Sequence, residues 1–355
     1  MSTLTKYLLT KYIRNFLIVL ISLEVFFVGI DFLQNFKSVP TSANLQLLYI
    51  FYNGFFTLTL ALPLSIVFAW IVTLITFIKN NEFVAFYALG AKRKDIFSPI
   101  VTLSFILLIS LIILQMTPLA YSYEQKRKIL DNEYFSSTKS DIFLKYNEHF
   151  VYFQKLFPLE KKAENIHIYK IEDEDIIETI IAQKAYFQNN RWYVIDAKII
   201  SKPKNIDENS QLTVRNEKFL HTLEGFQPKI LNNVYETKSD YSLLDALSAW
   251  ILLEQQGVNT QKIRTNIYNQ VFIPFFVIPL LFLIFAYASL NSRFFNLGKF
   301  VSFGVFGTLV IWGVFFFLFK ITSSGVLIPE FSIIVPLLVW FIISSYLYVK
   351  KIQDI

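Results

Sequence analysis

The sequence predicts an α-helical membrane protein in which three spans, an inserted β-rich domain and three further spans follow one another. Three observations carry this expectation. Hydrophobic residues make up 54% of the chain, with 38 Phe, a mean hydropathy of +0.46 and only 17% charged residues. Six apolar runs approach the ~20 residues needed to cross about 30 Å of hydrocarbon. A single long polar stretch, about Ala120 to Tyr268, divides them three and three.

The first run, Tyr12 to Phe36, follows Lys6, Lys11 and Arg14 as a signal peptide would. It is too long for a signal core and has no small-residue cleavage site before Lys37, so it reads as a retained helix. Glu24 and Asp31, seven residues apart within it, share a helical face with Gln34 and Asn35 nearby. An ionised carboxylate in hydrocarbon costs several kcal/mol. That face therefore points to protein or to a wet cavity, unless Asp31 reaches the headgroups and Glu24 hydrogen-bonds a neighbouring helix.

The second and third runs are Gly54 to Ile78 and Ile96 to Leu119. Between them Phe83, Val84, Phe86, Tyr87 and Leu89 form a segment too polar-flanked to span, helical in pattern until Gly90. A short helix on the cytoplasmic face fits, either inserting its apolar side into a partner's groove or anchored only by lipid.

Short β-branched and aromatic runs then predict strands at Ile142–Tyr146, His149–Gln154, Asn165–Lys170, Glu178–Gln183, Trp192–Ile200 and Gln211–Arg215. Asn189 and Asn190 suit a hairpin turn between Ala185 and Val194, and the close spacing suggests a sandwich or open barrel. Ser201–Ser210 reads as a flexible loop. Leu243, Leu244, Leu247, Trp250, Ile251 and Glu254 restore a helical period that Gly257 can end.

The last runs are Asn269 to Leu290, Leu297 to Phe319 and Phe331 to Val349. Gly304 and Thr308 in the fifth, four apart and small, suit a close helix contact. The expected domains are 1–120 for three spans with a cytoplasmic helix at about 80–92, 121–240 for the β domain, 241–268 for a membrane-proximal helix and linker, and 269–355 for three spans.

Eleven basic residues fall in the termini and in the loops between spans two and three and between four and five, among them Lys79, Arg93, Arg293, Lys299 and Lys350. Only Lys37 and Lys320 mark the short connections opposite. The excess places both termini in the cytoplasm and the long polar stretch outside. From Tyr121 to Thr265 there are 20 basic against 21 acidic residues, a balance of −1, so the overall +6 belongs to the loops and gives no support for nucleic-acid binding.

The chemistry the chain lacks is equally informative. The one Gly-Lys pair, Gly298-Lys299, lacks the GxxxxGK[ST] context of a phosphate loop. His149, His167 and His221 form no short-range ligand pattern for a metal, and without cysteine there is neither a disulfide nor thiol catalysis. No catalytic, cofactor-binding or metal-ligating set emerges.

At this point the sequence resembles the permease subunits of the lipopolysaccharide exporter, LptF and LptG. The resemblance rests on Lys11-Tyr-Ile-Arg, Leu62-Pro63, Glu82-Phe-Val-Ala-Phe-Tyr-Ala-Leu-Gly90, the run from Phe143 to Phe153, and Gly257 before the fourth span. It implies a jellyroll-like periplasmic domain between two sets of three helices. It also implies an ABC-type inner-membrane permease that draws its power from a separate LptB-like ATPase dimer. The homologous permease subunit of an LptF/LptG heterodimer, LptC/LptA-like bridge proteins and lipopolysaccharide are the other implied partners. The segment around Glu82, Phe83, Phe86, Ala88, Leu89, Gly90 and Arg93 corresponds to the family's coupling helix. The LptG branch is favoured, with Lys37 matching a lysine that meets lipid phosphates. Asp31 stands where another such lysine is expected, and an acid there repels phosphate unless it is paired. The alternatives are another lipid or lipoprotein permease, although those place their large domain after the first span, and a membrane-anchored sensor or scaffold.

Overall fold

The computed structural model describes residues 3–131, 139–146, 148–157, 161–172, 175–189, 191–203, 211–226, 242–254, 259–288 and 296–353. They form two compact units. One comprises Met1–Leu130, Tyr241–Leu247 and Asn259–Ile355, and the other Asp131–Asp240 and Ser248–Val258. Asn190, most of the Ser201–Ser210 loop, Gly257 and Arg293 lie outside the described residues.

The helical unit is built around α2 (Ala43–Lys79). Two thirds of its most apolar window, 67%, is buried, against 6% for α1 (Thr3–Gln34) and 33% for α4 (Arg93–Gln115). Leu64, Ile66, Val67, Trp70, Leu74 and Phe77 supply that buried surface. α3 (Glu82–Ala88) joins α2 to α4.

α4 stops at Gln115, short of the expected Leu119. Thr117 caps a new 3-10 turn, Pro118–Tyr121, by accepting the Leu119 N–H at 3.3 Å, and Pro118 has no N–H with which to continue the helix. α5 (Ser122–Leu130) follows. The β domain expected from residue 121 therefore begins about ten residues later, because Ser122–Leu130 is helical and packs on α2, with the Tyr123 ring 4.8 Å from that of Phe56. An i,i+4 pair, Lys128 to Glu124 at 2.7 Å, supports this turn.

Among the described residues, five helices are long and apolar enough to cross a membrane, and six spans result when α7 (Gln261–Val271) and α8 (Val277–Tyr287) count as one bent pair. The bend of 44° between them follows from Pro274 in the 3-10 turn Ile273–Phe276. α9 (Leu297–Ser323) is straightforward, whereas the last span opens with a π-helical turn, Glu330–Ile334, before α10 (Val335–Gln353). α6 (Leu243–Glu254) forms where the helical period predicts it. Its buried positions are Leu243, Ala246, Ala249 and Leu253, while Leu244 and Ile251 are exposed. Small alanines, invisible to a pattern of large apolar residues, define its inner face.

Among its described residues the second unit has a six-stranded antiparallel sheet in sequential order. Its strands are β1 (Lys139–Tyr146), β2 (His149–Phe157), β3 (Lys162–Glu172), β4 (Asp175–Gln188), β5 (Arg191–Ser201) and β6 (Thr213–Thr222). β1 to β5 contain and extend their expected runs, whereas β6 starts two residues after the expected Gln211 and runs on past Arg215 to Thr222. The β4–β5 hairpin turns through Asn189 at φ +47°, a geometry asparagine tolerates. Trp192 anchors the core, with its indole N–H donating to the Phe226 carbonyl at 2.7 Å.

A transverse feature crosses this sheet. Inward residues alternate along β2 to β5, but two outward residues separate Phe153 from Leu156, Ala163 from Ile166, Ala182 from Ala185 and Val194 from Ala197. The interruptions align through the strand register. Asp141, Asn165 and Asp196, at φ between +50° and +57°, occupy that line on alternate strands. The extra residue keeps apolar side chains inward on both sides of the crease.

Candidate functional site

The α3 segment divides its side chains between two faces. Phe83 and Phe86 are buried, with their rings 5.7 and 5.6 Å from that of Phe77 on α2. They anchor α3 to its own bundle and are not offered to a partner, unlike the outward apolar side expected from the sequence. Val84, Ala85, Ala88 and Leu89 are the exposed set. The helix ends in a Schellman arrangement: Ala91 N–H bonds the Phe86 carbonyl at 3.0 Å, Gly90 N–H bonds the Tyr87 carbonyl at 2.9 Å, and Gly90 adopts φ +82°.

Glu82, half-buried, turns toward α1 instead. It accepts from the Tyr7 hydroxyl of α1 at 2.9 Å and from Asn80 Nδ2 at 3.0 Å. Tyr7 also meets Phe86 edge-on at 6.2 Å, so α3 is tied to the start of α1 by two contacts. Arg93, half-buried at the start of α4, lies beside Tyr87. Burial pushes that phenol up, and the guanidinium acts against the shift.

α1 itself buries little apolar surface, yet polar contacts tie it to α2 along its length. The Tyr12 hydroxyl donates to the Ile66 carbonyl at 3.1 Å, and Asn15 Nδ2 donates to Thr73 Oγ1 at 2.9 Å. Glu24 Oε2 meets Thr57 Oγ1 at 2.7 Å, and the Tyr49 hydroxyl donates to Asp31 Oδ1 at 2.9 Å. Apolar burial on α1 is confined to Leu8, Tyr12 and Phe16 near its start and to Phe32 against Tyr49 near its end, with the polar contacts spaced between and beside them.

These two features, a short helix presenting an apolar face and a thinly packed first span, sit within one recognisable whole. A family model described as lipopolysaccharide export system permease LptF/LptG matches residues 6–350. The chain belongs to that family. No curated protein matches the sequence. The chain is thus a multi-pass permease subunit, a transporter component with no catalytic domain of its own.

In the permease, Asp31 is paired. It forms an ion pair with Lys126 of α5 and accepts from Asn35 Nδ2 at 2.7 Å. Lys126 is only 6% exposed, donates also to Asn53 Oδ1 at 3.1 Å, and lies under 6 Å from the ring centroids of Tyr49, Phe56 and Tyr123. The acid that stood in the way of phosphate is therefore neutralised internally, by a cation the sequence reading passed over. Lys126 sits in the charged run Glu124–Lys128, which resembles a solvated face. Its signal was the apolar or aromatic neighbour three residues to either side, Tyr123 and Ile129. Asn53 and Thr57, polar and four apart in an apolar run, were equally legible as partners for acids on α1.

Lys37 is exposed in the turn that follows α1, six residues beyond Asp31, and carries no ion pair among the described residues. Gly304 and Thr308 fall on the side of α9 that meets α2. A β-carbon at Gly304 would lie 2.9 Å from Ile71 Cδ1, and the buried Thr308 hydroxyl donates to the Gly304 carbonyl at 2.6 Å.

Proposed function

We propose that this chain is the LptG-type half of an ABC-type exporter that extracts lipopolysaccharide from the outer leaflet of the inner membrane. Its partners are a homologous LptF-type subunit, a cytoplasmic LptB-like ATPase dimer and LptC/LptA-like periplasmic bridge proteins. Both termini face the cytoplasm, and the β domain takes the lipid on the periplasmic side. The observation that carries this is the division of α3 into two faces. Val84, Ala88 and Leu89 form the surface on which the ATPase docks, while Glu82, Phe83 and Phe86 pass its displacement to Tyr7 and α1. α1, held to α2 by scattered polar contacts, is the element that yields. Lys37 offers a solvated cation to the phosphates of the lipid at headgroup depth, where it avoids the desolvation cost of burial.

Co-purification tests the docking face. Leu89→Glu places a charge at a residue that is 85% exposed, so the permease folds while the ATPase is lost from a mild detergent extract. ATPase recovered at the parent yield would refute the docking assignment.

A further inference from the structure

Among the described residues, Glu24 is a carboxyl without a cation, inside a span. It lies ten residues, about 15 Å, before the end of α1. Its Oε1 is shielded from solvent and, among the described residues, has no hydrogen-bond partner, and its Oε2 bonds there only to Thr57 Oγ1, at 2.7 Å. The same Thr57 oxygen is 3.0 Å from the Asn53 carbonyl and 3.1 Å from the Gly54 carbonyl. A hydroxyl has one proton to donate, and here three acceptors compete for it.

The charged and titratable groups on the surrounding elements do not relieve Glu24. On its own helix the next is Asp31, two turns away and itself acidic. On α2, Tyr49 donates to Asp31, and Asn53 uses its side-chain oxygen on Lys126, while its buried Nδ2 makes no hydrogen bond among the described residues, to Glu24 or to any other group. On α5, Lys126 is committed to Asp31 and Asn53, with Tyr123 beside it. α4 carries no charged residue after Asp95. An ionised Glu24 would hold a full charge in a span on a single contested hydrogen bond, which membrane interiors penalise by several kcal/mol.

One added proton removes the conflict. The Glu24 O–H then donates to Thr57 Oγ1, and the Thr57 hydroxyl donates to the Asn53 carbonyl, the usual bond of a helical threonine to the turn behind it. We propose that Glu24 is a proton-binding site, occupied while α1 rests on α2 and emptied into water when the seam between them opens. The sign follows from linkage: the closed seam binds the proton more tightly, so rising pH favours opening. The seam so becomes a point at which the export cycle takes up and releases a proton, a property separate from docking and lipid capture.

Infrared spectroscopy of the purified permease in lipid nanodiscs tests the occupied state without reference to transport. A protonated-carboxyl C=O stretch is expected at neutral pH, absent from Glu24→Gln and shifted in Thr57→Val, where its hydrogen bond is lost. A neutral-pH spectrum with no Glu24-dependent band overturns the proposal. A second measurement rests on the permease assignment. In the reconstituted exporter, Glu24→Gln fixes the neutral form, so the pH dependence of lipid release flattens by a clear margin while ATP turnover continues. A pH profile identical to the parent overturns the emptying step, and absent lipid release by the parent would implicate the permease assignment instead.

Discussion

Asp31 shows how one side chain changes meaning once its neighbours are known. In isolation it is an acid near the expected headgroup depth, set to repel phosphate. In the fold it and Lys126 neutralise each other, and Asn35 and Tyr49 fill its other oxygen. Removing one partner of a buried pair strands the other charge, at a cost of about 3–5 kcal/mol, whereas replacing both is far milder. Asp31→Asn and Lys126→Met should each lower the unfolding midpoint in detergent more than the double variant does. Additive losses would show that the pair is not coupled. Lys37 makes the complementary case. It is exposed and unpaired among the described residues, so Lys37→Glu should leave the midpoint within about 0.5 kcal/mol of the parent, as surface changes usually do. Photocrosslinking of lipopolysaccharide from a probe beside it should nonetheless fall several-fold at low salt, and crosslinking in Lys37→Glu unchanged from the parent at both low and high salt would leave Lys37 a simple interfacial anchor.

At the scale of elements, the apolar pattern located, among the described residues, the five long spans, the bent pair that can make a sixth, and the six strands, and it failed where the local signal was polar or small. β6 is nearly all exposed and carries Arg215, Asn216, Glu217 and Lys218, so only its first residues read as a strand. Such a charged edge is the usual guard against unwanted strand pairing. The early end of α4 was written in Thr117-Pro118, a capping signal that hydropathy ignores. The two faces of α3 could not be separated from sequence, because seven residues give too few turns to show which aromatic rings turn inward. The α9–α2 contact yields a direct test. Ile71 is almost wholly buried and β-branched, with little room to move away from a new side chain. Gly304→Leu should cost about 1–3 kcal/mol through overpacking, read as a lowered unfolding midpoint, whereas the same change at Gly307, which has open space around it, should not. Equal effects at both positions would place the close contact elsewhere.

At the scale of the whole molecule, burial is distributed unequally among the spans. α2 is a core helix, while the apolar windows of α1 and α9 are 6% and 11% buried. Surfaces of that kind need lipid or another membrane protein against them, in keeping with a multi-pass permease subunit. Orientation is open to a clean experiment because the native chain has no cysteine. A cysteine at Asn189 should react with an impermeant thiol reagent added outside intact spheroplasts, and one at Lys92 should react only after lysis. Equal labelling of the two before lysis would overturn the topology. The crease across the β domain has a further consequence, for fidelity in folding. A meander of long strands can mispair by two residues and still bury an alternating face. Here such a slip would force His167 or Ala163 in place of Asn165, and Val194 or Lys198 in place of Asp196, into left-handed backbone, at about 1–2 kcal/mol for each residue so placed. Penalties repeated on alternate strands single out one alignment among many near-equivalent ones, so three residues that contribute little to the core act as the sheet's spelling check.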